Sequence, residues 1–127
     1  FEADFLVEPG CGCAPVKKML LQPLVENSIY HGLREKAEGG KICVWVHEKN
    51  GRIYFNIKDT GMGMSVEALE QLKERLKTEE NKISQHIGLS NTNARLILSY
   101  GPGSRLKINS REGYFTVIWF SVPAGSP

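Results

Sequence analysis

Along the chain, the period of the apolar positions changes several times, and each change marks an element. Phe1, Ala3, Phe5 and Val7 alternate with less apolar neighbours, which predicts a strand over Phe1–Glu8. A Gly/Pro/Cys loop follows from Pro9 to Pro15. Leu21, Leu24, Val25 and Ile29 then recur at helical spacing, predicting a helix that closes near Gly32. Pro23 fits either its first turn or a kink. Ile42, Val44 and Val46 alternate with Cys43, Trp45 and His47, and Ile53, Phe55 and Ile57 alternate with Tyr54, Asn56 and Lys58. Asn50-Gly51 between these runs is a hairpin signal. Ser65 is placed to cap a second helix marked by Leu69, Leu72 and Leu76. The polar stretch Thr78–Gln85 predicts a mobile loop. Leu89, Leu96, Ile97 and Tyr100 mark a third helix, stopped by Gly101-Pro102-Gly103. Two strands close the chain, Arg105–Asn109 and Tyr114–Val122, joined by a turn at Ser110–Gly113. This order predicts an α+β fold of one domain over residues 1–127. About three helices should cover one face of a single, mixed but mostly antiparallel sheet, making a two-layer α/β sandwich.

The composition narrows the function classes. The 127 residues are 41% hydrophobic and 24% charged, as in an ordinary globular protein. No apolar run reaches the roughly 18–20 residues of a transmembrane helix, so direct membrane insertion is not expected. No signal peptide opens the sequence, and the missing initiator Met predicts a piece of a longer protein. The net charge of +2 comes from 16 basic and 14 acidic residues, well mixed. Without a basic block, nucleic acid is not an expected partner. Cys11, Cys13 and Cys43 form an odd set without a CxxC pair, which argues for a reducing compartment. No second Cys/His pair at zinc spacing follows Cys11-Gly12-Cys13, so these two read as loop thiols.

Three polar stretches carry candidate chemistry. In "LLQPLVENSIYHG", Glu26, Asn27 and His31 interrupt an apolar helix face. Such groups need partners, in the protein or in a ligand. Asn27 offers an oxygen suited to Mg²⁺ shared with phosphates, and Glu26 a carboxylate able to orient or accept a proton. In "DTGMGM", Asp59 ends a strand and Gly61 and Gly63 frame the turn. A carboxylate there accepts but does not donate, and so can select an exocyclic amine such as that of adenine. In "HIGLSN", Gly88 precedes a helix whose first N–H groups can face anionic oxygens. Each stretch also has a plain reading: a hydrogen-bonded helix edge, an Asp turn, a glycine before a helix. Neither a Walker motif nor GxGxxG is present.

Taken in order, the three stretches resemble the motifs of sensor histidine kinases, the LytS-like group in particular. "LQPLVENSIYHGL" is similar to their N box, "DTGMGM" to their G1 box, and "HIGLSNTNARL" to their G2 box. "YGPGSRLKINS" and "REGYFTVIWFSVP" resemble their closing strands. The resemblance implies the Bergerat fold of the GHKL superfamily, ATP and Mg²⁺ as cofactors, and transfer of the γ-phosphoryl group to a histidine outside this chain. It implies Asn27 as the Mg²⁺ ligand, Asp59 as the adenine reader, and Gly61 and Gly63 as the turn under the base. Gly88 and Leu89 would lend backbone near the phosphates, and Thr116 would lie near the adenine. Tyr30, His31, His86 and Ile87 would border the nucleotide, and Thr78–Ile87 would form the ATP lid. Glu26 would polarise the acceptor imidazole. Upstream dimerisation helices and a response regulator receiver domain are the implied partners. The implied location is the cytoplasmic side of a bacterial membrane protein. Tyr30 stands where many relatives carry Lys or Arg, and His86 where glycine is frequent. These departures keep open an alternative, a non-catalytic nucleotide-binding regulatory module.

Overall fold

The computed structural model describes residues 2–7, 15–28, 40–81 and 88–124. Its strands are β1 (Glu2–Val7), β2 (Lys41–Lys49), β3 (Arg52–Asp59), β4 (Lys107–Arg111) and β5 (Phe115–Pro123), and its helices α1 (Pro15–Ser28), α2 (Val66–Thr78) and α3 (Leu89–Tyr100). The five strands form one sheet in the order β1-β2-β3-β5-β4. Only β1–β2 is parallel, and the other three pairings are antiparallel. The expected mixed, mostly antiparallel sheet is therefore present.

Alternation along the strands sorts the side chains into two faces. Val44, Ile57, Ile118 and Ile108 stand in one cross-strand row, and Val46, Phe55 and Phe120 in the next. All are buried. Phe55 and Phe120 stack with ring centroids 4.7 Å apart, and each such burial stabilises the fold by about 1.5–3 kcal/mol. Leu24 of α1, Leu69 and Leu76 of α2, and Leu89 and Leu96 of α3 complete the same core, so the helices lie on this face. The opposite face carries no helix among the described residues. There Trp45 is 45% exposed, and His47 lies in an aromatic ladder, 4.1 Å from Trp45 and 5.2 Å from Tyr54.

Local signals account for the joints. Asn50 and Gly51 both have positive φ, +52° and +77°, the type I′ geometry that matches strand twist. Ser65 caps α2 by accepting the Ala68 N–H at 3.1 Å.

Helix α1 begins at Pro15, directly at the end of the expected loop, so of the two readings of Pro23 the interior one holds; it supplies no N–H to the carbonyl one turn back. The expected end of this helix near Gly32 lies outside the described residues. Ser110 belongs to β4 rather than to the turn, because it pairs with Thr116; the turn is Glu112–Tyr114. Thr78 closes α2, and Glu80 is ion-paired with Arg105 at 2.8 Å. The first part of the expected lid is thus anchored. Residues 82–87, which complete it, lie outside the described residues, as do Cys11 and Cys13.

Candidate functional site

The inward face of β3 reads Ile53, Phe55, Ile57, Asp59, so the carboxylate takes the last slot of an apolar row. It is 2% exposed. Burial of a charge requires compensation, and the Gly61 N–H donates to Asp59 Oδ1 at 3.0 Å. The strand end is held from its other side: Thr60 N–H donates to the Lys41 carbonyl at 3.0 Å, and Lys41 N–H to Thr60 Oγ1 at 2.9 Å.

Directly across from Asp59 stands Thr116 of β5, also buried. Beyond it in the row is Ser110 of β4, whose Oγ lies 2.8 Å from Thr116 Oγ1. The turn after Asp59 closes onto this hairpin. Gly63 has φ +66°, and a Cβ there would collide with the Arg111 carbonyl. Only glycine meets both demands. Met64 N–H donates to Ser110 Oγ at 2.8 Å, and Gly113 N–H to the Met62 carbonyl at 2.7 Å.

A cavity of about 460 Å³ opens above this row. Asn27, Asp59, Gly63, Gly88, Leu89 and Thr116 all line it, so residues from four separated stretches of sequence meet at one place. Gly61 is buried in the turn beneath. Glu26 is half-buried, does not line the cavity, and accepts a bond from Gln22 Nε2 at 3.1 Å. Tyr30, His31, His86 and Ile87 lie outside the described residues. Gly88 begins α3 in an extended conformation, and a Cβ there would meet no atom of the described residues within 4 Å. The N–H groups of Leu89 and Ser90 precede the first intrahelical bond, from Thr92 N–H to the Gly88 carbonyl, and so suit an anion.

The sequence reading missed two features of the wall. Ser28 is 2% exposed, lines the cavity, and has a hydroxyl without a hydrogen-bond partner among the described residues. Ala68, Gln71, Leu72 and Arg75 contribute a strip of α2. Their i, i+3, i+4, i+7 spacing was visible beside the Leu69–Leu76 core stripe. Arg75 adds a cation that the motifs did not indicate.

A family model described as "Histidine kinase-, DNA gyrase B-, and HSP90-like ATPase" matches residues 17–126. The chain belongs to this family. It is an ATP-binding domain of the sensor histidine kinase type, with the two-layer Bergerat fold. It is 33% identical over 123 residues to the sensor protein LytS of Bacillus anthracis, covering 97% of this chain. The match takes in 20% of that relative, so the chain spans about a fifth of its length. Its fold is similar to the histidine kinase domain of the E. coli osmosensor EnvZ, with a TM-score of 0.63 at 18% identity, covering 98% of this chain and 76% of that one. It is also similar to the catalytic domain of histidine kinase ThkA in a nucleotide-free form, with a TM-score of 0.62 at 20% identity, covering 95% and 80%.

Proposed function

We propose that this chain binds Mg-ATP in the cavity between α1, α2, α3 and the ends of β3 and β5, and delivers the γ-phosphoryl group to a histidine on helices upstream of it. The observation that carries this reading is the convergence of a buried carboxylate, Asp59, with Asn27 and the start of α3 on one cavity. Asp59 selects the base by accepting a hydrogen from the exocyclic amine, with Thr116 beside it. Gly61 and Gly63 shape the floor under the ring. The N-terminus of α3 at Gly88 and Leu89 favours phosphate charge, and Arg75 adds positive charge at the wall. The resemblance assigns Tyr30, His31, His86 and Ile87 to the nucleotide as well; all four lie outside the described residues.

The donor set fits Mg²⁺. No group of three or more His, Cys, Asp or Glu stands ready to hold a metal among the described residues. Asn27 on the cavity wall offers one protein oxygen, which suits an ion bound mainly by phosphates and water. When bound, Mg²⁺ supplies neutralisation of phosphate charge. The chain's own contribution is placement, which accounts for much of phosphoryl-transfer catalysis. Glu26 polarises the acceptor imidazole from the neighbouring helix position.

In this reading the complete protein is a membrane-anchored sensor with its kinase part on the cytoplasmic side, and residues 1–127 are one catalytic domain within it. A response regulator receiver domain takes the phosphoryl group from the histidine. No described helix is long and apolar enough to cross a membrane. Titration calorimetry of the chain with ATP, with and without Mg²⁺, tests the binding. Radiolabel transfer from ATP to a longer chain that includes the upstream helices tests the chemistry. Mg-dependent ATP binding and base-stable, acid-labile label on that longer chain are the expected results.

A further inference from the structure

Ser110 has three polar neighbours, and together they fix where its hydrogen lies. Its Oγ is 2.8 Å from the Met64 nitrogen, 2.8 Å from the Phe115 carbonyl oxygen and 2.8 Å from Thr116 Oγ1. A serine hydroxyl has one hydrogen to donate and two lone pairs to accept with. The Phe115 carbonyl only accepts, so it receives the Ser110 hydrogen. The Met64 N–H only donates, so it takes one lone pair. The remaining lone pair receives the hydrogen of Thr116. The opposite assignment would set the Ser110 and Phe115 oxygens 2.8 Å apart with no hydrogen between them. Thr116 therefore turns its hydrogen toward β4, and what it offers the cavity is lone pairs alone.

We infer that Ser110 is a positioning residue for base selection: by holding the Thr116 hydrogen, it makes the edge beside Asp59 accept only, so that a 6-amino purine is taken and a 6-oxo purine refused. The inference rests on the proposed reading of Asp59 and Thr116 as the base-reading pair. At the 6-position a purine amine brings hydrogens to two acceptors, whereas a 6-oxo group brings a third oxygen there; the N1–H that accompanies the oxo form belongs to the next ring atom and does not serve acceptors that face the 6-position. The same serine anchors Met64, tying the Gly63 turn to the hairpin that carries Thr116.

The test compares ATP with inosine triphosphate, which carries an oxo group at the 6-position and a hydrogen on N1, by calorimetry on the 127-residue chain. Wild type should prefer ATP. Ser110→Ala frees the Thr116 hydrogen to serve an oxo group, and the preference should narrow about three- to tenfold, the scale of one neutral hydrogen bond. Ser110→Thr keeps the acceptor and should retain the wild-type ratio. In a Thr116→Val background, Ser110→Ala should leave the ratio where Thr116→Val alone puts it. Should Ser110→Ala lose its cooperative melt, Ser110→Cys keeps the volume with a much poorer acceptor and is read for the same narrowing. Equal weakening of both nucleotides, with the ratio unchanged, would mean a purely structural role and overturn the inference. So would a change in ratio that persists without Thr116. A wild type that binds neither nucleotide defeats the underlying nucleotide reading, and the inference with it.

Discussion

Asp59 and Thr116 are register partners across β3 and β5, and both are buried on the helix-covered face of the sheet. With Ser110 they form a polar row beside the wholly apolar row of Val44, Ile57, Ile118 and Ile108. The cavity above them gives this pair an outlet that the core does not.

Asp59→Asn should weaken ATP binding while leaving the fold intact, since an amide oxygen still accepts the Gly61 N–H. The lost charge-assisted bond is worth about 1.5–3 kcal/mol, or roughly ten- to a hundredfold in affinity. Calorimetry reads the affinity, and a thermal melt checks the fold.

Asn27→Ala should abolish the Mg²⁺ dependence of nucleotide binding. The residue is half-buried on the cavity wall, away from the Leu24 contact with the core. Titrations with and without Mg²⁺ measure the effect; an unchanged difference between them would reject Asn27 as the ligand.

Two glycines should respond in opposite ways. Gly63→Ala forces a side chain into positive φ and against the Arg111 carbonyl, costing about 1–3 kcal/mol from the backbone alone. Gly88→Ala meets no atom of the described residues within 4 Å and should change stability by less than about 0.5 kcal/mol yet impair nucleotide binding. Denaturant unfolding and calorimetry on both variants separate the two roles.

Asn93→Ala should destabilise without touching the cavity wall. Asn93 is 2% exposed and joins α2 to the approach of β4. Its Nδ2 donates to the Leu76 carbonyl at 3.3 Å and its Oδ1 accepts the Leu106 N–H at 2.8 Å. Leaving those groups buried and unpaired costs about 1–3 kcal/mol each, to be read as a lowered denaturant midpoint.

The chain alone should bind ATP but not label itself. His47 lies on the sheet face opposite the helices, stacked between Trp45 and Tyr54, and cannot meet a phosphate in the cavity. His31 and His86 are expected within the nucleotide site itself. Incubation with radiolabelled ATP followed by a basic quench should leave the chain unlabelled, and stoichiometric acid-labile label would contradict the assignment.

Much of this was legible in the sequence, because it depends on local rules. Period-two alternation fixed which face of β2, β3 and β5 is buried, Asn50-Gly51 dictated the hairpin, and Ser65 marked the start of α2. The resemblance of the N, G1 and G2 stretches to sensor histidine kinases identified the family. Other features depend on partners far away in the chain. The sequence left Pro23 in the first turn or at a kink; it lies inside α1, where packing of Leu24 against the sheet outweighs one missing bond. Ser110 looked like a turn residue until its pairing with Thr116 placed it in a strand, where its hydroxyl orders a neighbour rather than a loop. The burial of Asn93 on α3 is explained by the carbonyl of Leu76 and the N–H of Leu106. The sequence determined the elements, their buried faces and the residue types of the site, since these follow from side-chain period and backbone geometry. The tertiary structure alone decided which polar groups meet, because a buried hydrogen bond is set by where its partner lies in space, and local sequence does not encode that distance.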